Sequence, residues 1–126
     1  MPETLTSVRT IVGDVEAAIG FYTKHLGFAV KLDARPAFAA VTRGGLQIWL
    51  SGPKSSAGRT LADGRVPAPG GWNRIVLEVA DIAAEVDRLG AAGLAFRGPI
   101  VKGPGGSQVL LDDPSGNPIE LFQPAG

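Results

Sequence analysis

The side chains of this sequence that could do chemistry are carboxylates, guanidinium groups and indoles. The chain has no cysteine and a single histidine, His25. A thiolate metal site, a nucleophile–histidine pair and an iron site of two histidines and one carboxylate therefore cannot be built within one chain. The residues left for acid–base or binding chemistry include Arg9, Trp49, Arg74 and Glu120, and their use depends on the elements that position them.

Two segments of the sequence occur twice. Val12–Ala17 returns as Val79–Ala84, 67 residues later, and Leu46–Leu50 returns as Asn117–Leu121, 71 residues later. Two copies of one unit predict a pseudo-symmetric fold, and paired modules often form a cleft where they meet.

The first copy predicts one helix and four strands. Asp14 is a good N-cap, an apolar face recurs at helical spacing after it, and Gly27 ends the helix. Alternating and β-branched residues predict the strands 7–12, 28–33, 38–43 and 46–50. Gly44 and Gly45 predict a tight hairpin between the last two strands.

The second copy repeats this order. Asp81 and Gly93 bound the predicted helix. The predicted strands are 74–79, 94–97, 107–111 and 118–122, and the predicted turns are 103–106 and 113–117. Between the copies, residues 51–71 are rich in glycine, proline and serine, which fits either a mobile flap or a passive linker.

The closing stretch Asp112–Phe122, together with Phe21-Tyr22, Leu26–Phe28 and the order of elements, resembles the vicinal oxygen chelate superfamily. This superfamily contains glyoxalase I, the bleomycin-resistance proteins and the extradiol dioxygenases. The resemblance covers nearly the whole chain, and Gly71–Arg74 looks like the opening of the second unit in one bacterial subset.

The resemblance implies an α+β fold of two β-α-β-β-β modules, whose curled sheets form an open, barrel-like cleft with the helices outside. One domain would span residues 1–126, with module one at 1–50, a linker at 51–71 and module two at 72–126. It also implies a homodimer, since family members with two units per chain commonly associate.

Metal-dependent members of the superfamily take one ligand from the first strand and one from the last strand of each unit. The corresponding positions here are Ser7, Trp49, Arg74 and Glu120. Only Glu120 is a metal ligand of the expected type, and the permanent charge of Arg74 would repel a divalent cation. The expectation is therefore that the protein has no metal and no cofactor.

Strand alternation predicts which side chains share the cleft. The candidates for ligand binding are Ser7, Arg9, Gln47, Trp49, Trp72, Arg74, Glu78, Glu120 and Phe122. They could form a polar, aromatic-walled pocket for a planar ligand, with an arginine pairing an anion and Trp49 stacking. Alternatively, Arg74–Glu120 and Arg9–Glu78 only neutralise each other across a hydrated core.

Composition restricts the class of partner. Lysine plus arginine and aspartate plus glutamate both number 12, so the zero net charge argues against nucleic-acid binding. No apolar run approaches a membrane span and the N-terminus lacks a leader pattern, so we expect a soluble, cytoplasmic protein with no membrane partner.

Two functions remain open from the sequence. The leading hypothesis is a metal-free small-molecule binding protein, similar to the drug-sequestering branch of the superfamily. The alternative is a lyase-, isomerase- or epimerase-type enzyme that uses Glu120 as acid and base, with Arg74 stabilising an enolate or carboxylate or with a divergent metal site.

Overall fold

The computed structural model of the protein describes residues 6–126. Internal contacts divide the chain into two compact units, with the boundary between Gly70 and Gly71. Residues 1–5 lie outside the described part. The start of the expected first module lies there, and the expectation that the N-terminus lacks a leader concerns the same residues.

The first unit combines one helix with a four-stranded mixed sheet. Its elements are β1 (Thr6–Ile11), α1 (Val15–His25), β2 (Ala29–Ala34), β3 (Phe38–Arg43) and β4 (Leu46–Ser51). The strands lie in the order β1-β4-β3-β2. β1 runs parallel to β4, because α1 and the β2–β3 hairpin carry the chain back, and the other pairs are antiparallel.

The bounds of α1 follow the predicted caps. The Asp14 carboxylate accepts a hydrogen bond from the Ala17 amide, which satisfies one of the free donors of the first turn. Gly27 follows the helix with a φ of 73°, a conformation that residues with a Cβ rarely adopt. Apolar residues of α1 and of one sheet face form the core of the unit, including Val15, Ala18, Tyr22, Ala39, Val41, Ile48 and Leu50.

The second unit repeats this architecture. Its elements are β5 (Ile75–Glu78), α2 (Ile82–Ala91), β6 (Val101–Gly103), β7 (Gly106–Asp112) and β8 (Pro118–Pro124). The order β5-β8-β7-β6, with β5 parallel to β8, matches that of the first sheet. Asp81 caps α2 through the Ala84 amide, as Asp14 caps α1. The predicted α+β fold of two repeated modules is confirmed.

The predicted strand over Leu94–Arg97 is wrong. Within this stretch only Phe96 forms a bridge, opposite Leu111 of β7. Gly98 and Pro99 follow it, and a proline cannot donate to a ladder, so pairing is interrupted there. The edge of the sheet is formed instead by β6, which pairs with β7 across the turn at 104–105. The turn is shorter than the predicted 103–106, because Gly103 and Gly106 pair with each other as the ends of β6 and β7.

Residues 51–71 are not uniformly irregular. Ser51 is the last residue of β4, and Ser55 caps a short 3₁₀ helix over Ser56–Gly58. The Ser55 hydroxyl donates to the Gly52 carbonyl at 2.7 Å and accepts from the Gly58 amide at 3.2 Å. The start of the expected linker is therefore packed on the first unit, whereas residues 59–66 are exposed.

Within residues 6–126, neither helix has the length and apolar character that a membrane span requires.

Candidate functional site

The sheet of the first unit has one face against α1 and one face with polar and aromatic side chains. Ala39, Ile48 and Leu50 are fully buried on the helix side. Because side chains alternate along a strand, Gln47, Trp49 and Ser51 project from the other face of β4. We call this second face the open face of the first unit.

The β1–β4 register brings the predicted residues of the first unit together. Ser7 lies beside Gln47 and Arg9 lies beside Trp49. The Gln47 side-chain amide donates to the Ser7 hydroxyl at 2.8 Å. The Arg9 guanidinium lies 4.8 Å from the centre of the Trp49 ring, within the range of a cation–π contact, and Nη1 donates to the Ser51 hydroxyl at 3.1 Å. These contacts fix Arg9 over the indole.

Two pockets lie on the open face, and Trp49 and Phe38 line both. The rings of Phe38 and Trp49 meet edge to face, with 6.1 Å between their centres. The first, which we call the apolar pocket, has a volume of about 500 Å³ and is lined by Lys31, Leu32, Phe38, Ala40, Gln47 and Trp49. The second, the cationic pocket, has a volume of about 420 Å³ and is lined by Arg9, Ala37, Phe38, Trp49, Lys54, Ser55 and Ser56. Both volumes fall in the range of small-molecule sites.

Sequence reasoning missed Phe38 as a site residue, although a signal for it exists. A two-residue hairpin at Gly44-Gly45 pairs Arg43 with Leu46, and counting back along the ladder places Ala40 opposite Trp49 and Phe38 opposite Ser51. Phe38 must then share the open face with Trp49. Lys54 had no such signal, because it lies beyond the last strand of the unit.

An ion pair holds the β2–β3 connection beside the cationic pocket. The Arg35 side chain donates from Nε to Asp33 Oδ1 at 2.9 Å and from Nη2 to Oδ2 at 2.7 Å. These side-chain hydrogen bonds, more than the field of the guanidinium, hold the pKa of Asp33 below its ordinary value. The pair stabilises the turn that leads into Ala37 and Phe38.

The second unit contains the predicted contact between Arg74 and Glu120. Arg74 lies just before β5, and its Nε and Nη2 both lie 2.9 Å from Glu120 Oε1. The Glu120 residue is 7% exposed and the Arg74 side chain 28% exposed. A carboxylate so nearly buried requires a charged partner, and Arg74 provides it.

The other predicted residues of the second unit do not join this pair. Glu78 is exposed on β5, opposite Phe122 of β8. The Phe122 ring covers Gly106, where an added methyl group would lie 2.9 Å from Cζ. Trp72 is 79% exposed, and its ring lies 5.9 Å from the Arg97 guanidinium, which pairs with Asp112.

The sequence matches the family model described as Glyoxalase/Bleomycin resistance protein/Dioxygenase superfamily over residues 4–121. The chain belongs to this superfamily. A separate comparison with curated proteins finds no match.

Several solved structures share the fold of this chain. A member from Sphaerobacter thermophilus is 30% identical, with 97% of this chain and 98% of that chain covered and a TM-score of 0.75. The antibiotic-binding protein TnmS3 from a Streptomyces species is 27% identical, with 98% of both chains covered and a TM-score of 0.72. The bleomycin-binding protein of Streptomyces verticillus, solved with copper(II)-bleomycin, is 19% identical, with 99% of both chains covered and a TM-score of 0.64, a likeness of fold alone.

The residues at the superfamily's metal-ligand positions do not fit a divalent cation. The Ser7 hydroxyl is engaged by Gln47, and the Trp49 indole can only donate a hydrogen bond. The Glu120 carboxylate already binds the Arg74 guanidinium, whose charge opposes a second cation. Across residues 6–126, no three histidine, aspartate or glutamate side chains are grouped as a metal site requires.

Proposed function

We propose that the protein is a metal-independent small-molecule binding protein whose ligand lies on the open face of the first unit. The observation that carries this proposal is the position of the Trp49 indole, which forms a common wall of the apolar and cationic pockets. An indole has no lone pair for a metal, but it offers a large, rigid and flat apolar surface. This surface suits a planar ligand.

The similarity to an antibiotic-binding protein supports the proposal. TnmS3 is 27% identical to this chain over nearly all of both sequences. Capture of a drug or metabolite requires only tight, stoichiometric binding, with no reacting group. The paired state of Glu120 is compatible with such a role.

We include in the proposed binding site the candidate residues named from the sequence, most of them from strand alternation. They are Ser7, Arg9, Gln47 and Trp49 of the first unit and Trp72, Arg74, Glu78, Glu120 and Phe122 of the second. That the two sets meet in one cleft stays a prediction, as do the homodimer and the cytoplasmic location.

The alternative enzyme, of lyase or isomerase type, would use Glu120 as acid and base. Near-complete burial is the feature that favours Glu120 for this role, since desolvated carboxylates serve as general bases. However, Arg74 places two donors on Glu120 Oε1, which leaves only Oε2 to take a substrate proton. This engagement of the carboxylate supports binding over catalysis.

Tryptophan fluorescence against a library of planar natural products tests the proposal. A Trp72→Phe variant leaves Trp49 as the one indole, so that any change in emission reports on the open face. We expect a subset of compounds to quench or shift Trp49 emission saturably, with one equivalent bound per chain and the compound recovered unchanged. If no compound alters Trp49 emission, the binding proposal is wrong, and if a hit is consumed, the enzyme alternative is correct.

A further inference from the structure

We propose that the ligand carries an anionic group on its planar aromatic body, and that Arg9 and Lys54 of the cationic pocket bind this group. This inference rests on the proposed function and adds the chemical class of the ligand: an aromatic carboxylate, sulfonate or phosphate ester.

Among residues 6–70, the positive charge on the cationic pocket has no acidic partner. The described lining of the pocket includes Arg9 and Lys54 and no aspartate or glutamate. Within residues 6–70, no carboxylate oxygen lies within 4.0 Å of either cation, whereas Arg35 of the same unit pairs with Asp33 at 2.7 Å. In a chain with no net charge, two such cations on one pocket wall attract an anion.

Arg9 keeps donors available for such an anion. Among residues 6–70, its hydrogen bond is made by Nη1, to the neutral hydroxyl of Ser51 at 3.1 Å. A guanidinium has five N–H donors in a planar fork that matches the oxygens of a carboxylate or phosphate. The stacking of Arg9 on Trp49 sets the plane of this fork.

Lys54 and Ser56 complete the pocket wall from the segment after β4. This segment is held in place by Ser55, which is 6% exposed and caps the 3₁₀ helix through the Gly58 amide. Gly58 packs so closely that an added Cβ would collide with the Gly52 carbonyl. The two cations are therefore carried on ordered backbone, which lowers the entropic cost of binding an anion.

The adjacent apolar pocket defines the rest of the ligand. It shares Phe38 and Trp49 with the cationic pocket and adds Leu32 and Ala40. An aromatic body against these side chains would place a substituent of its ring near Arg9 and Lys54. The geometry thus selects a molecule that is apolar and flat at one end and negatively charged at the other.

The test compares two fluorescent dyes with the same rings, anilinonaphthalene sulfonate and the uncharged phenylnaphthylamine. We expect the sulfonate to bind about tenfold more tightly, as expected for hydrogen bonds to a charged group. Arg9→Gln and Lys54→Gln should each reduce this ratio several-fold, because each removes a positive charge that attracts the sulfonate and not the neutral dye. Lys24→Gln, an exposed substitution on α1, is the matched control and should leave the ratio unchanged.

Two failures of the test are distinguishable. If neither dye binds the folded protein, the proposed function itself is contradicted. If both dyes bind equally, or if the ratio depends on Lys31 at the rim of the apolar pocket and not on Arg9 or Lys54, the inference about the anion is overturned alone. Thermal melting of each variant verifies folding, and Lys54→Gln tests the inference even if Arg9→Gln does not fold.

Discussion

Trp49, together with Phe38, lines both pockets of the first unit. It is half-buried, with Arg9 stacked on it and Phe38 edge-on. The core of the unit lies on the opposite face of the sheet, around Ile48 and Leu50. Trp49 can thus be removed without opening the core.

We predict that Trp49→Ala weakens phenylnaphthylamine binding about tenfold, because a large stacking surface is lost. The cost in the free energy of unfolding should stay below about 2 kcal/mol, less than for a core tryptophan. Dye titration and urea unfolding measure the two effects. Val101→Ala, exposed on β6, is the apolar control. Complete unfolding of Trp49→Ala would show that the indole belongs to the core.

The Arg74–Glu120 pair is the second residue-scale feature. Removing Arg74 alone leaves a carboxylate that is 7% exposed without its cation. We predict that Arg74→Met lowers the free energy of unfolding by about 1–3 kcal/mol, the cost of an unsatisfied buried polar group. Adding Glu120→Gln should restore part of this loss.

Urea unfolding of the wild type, the two single variants and the double variant gives the coupling energy of the pair. We expect the double variant to be more stable than Arg74→Met alone. Additive losses would mean that the 2.9 Å contact does not contribute to stability.

At the scale of elements, the two helices share one capping arrangement. The Asp14 and Asp81 carboxylates accept from the Ala17 and Ala84 amides at 3.1 and 3.0 Å. We predict that Asp14→Ala and Asp81→Ala each lower the free energy of unfolding by about 1 kcal/mol. Asp87→Ala, in the exposed interior of α2, is the control and should cost less than half as much. Equal effects at all three positions would contradict the capping role.

The segment after β4 should show two exchange regimes. Residues 51–58 contain buried Ser51 and Ser55 and the capped 3₁₀ helix, whereas residues 59–66 are exposed. We predict slow amide exchange in the first part and fast exchange in the second, measured by hydrogen–deuterium exchange. Dye binding should slow exchange near Lys54. Fast exchange throughout 51–58 would contradict the packed arrangement.

Most of the fold could be predicted from the sequence because its signals are local. The N-cap aspartates, the glycines at the helix ends and the period of two in strands such as 7–12 each act over a few residues. The prediction of a strand at Leu94–Arg97 was wrong. Its residues have strand propensity, but Gly98 and Pro99 interrupt the pairing with the neighbouring strand. Val101–Gly103 forms the edge strand instead, because it pairs with β7, and this pairing cannot be read from local sequence.

The candidate site could be predicted only in part. Strand alternation placed Ser7 with Arg9, and Gln47 with Trp49, on the cleft face. The register of β1 with β4 makes the two pairs neighbours. Lys54 was missed because it follows the last strand of the unit. Beyond a strand, the alternation of side chains no longer predicts which face a residue lies on. Its position depends on the Ser55 cap and on the fit of Gly58 against Gly52.

At the scale of the whole molecule, duplication gives the two units equivalent strand pairs. Each copy contributes the same strand pair, β1 with β4 and β5 with β8. In this chain the equivalent positions carry Ser7 and Trp49 in one unit and Arg74 and Glu120 in the other. At the metal-ligand positions that the resemblance implies, the first unit thus carries an indole and the second an ion pair.

The most direct test of metal-independent binding is the titration of phenylnaphthylamine into untagged protein treated with EDTA, repeated after addition of Ni, Zn, Mn or Fe. We predict the same Kd, within twofold, in all five titrations, because the proposed contacts of the dye with side chains require no metal ion. Elemental analysis of the untreated protein should find less than stoichiometric metal. Binding that appears only after one metal is added, and that is lost in Glu120→Ala, would contradict the proposed function.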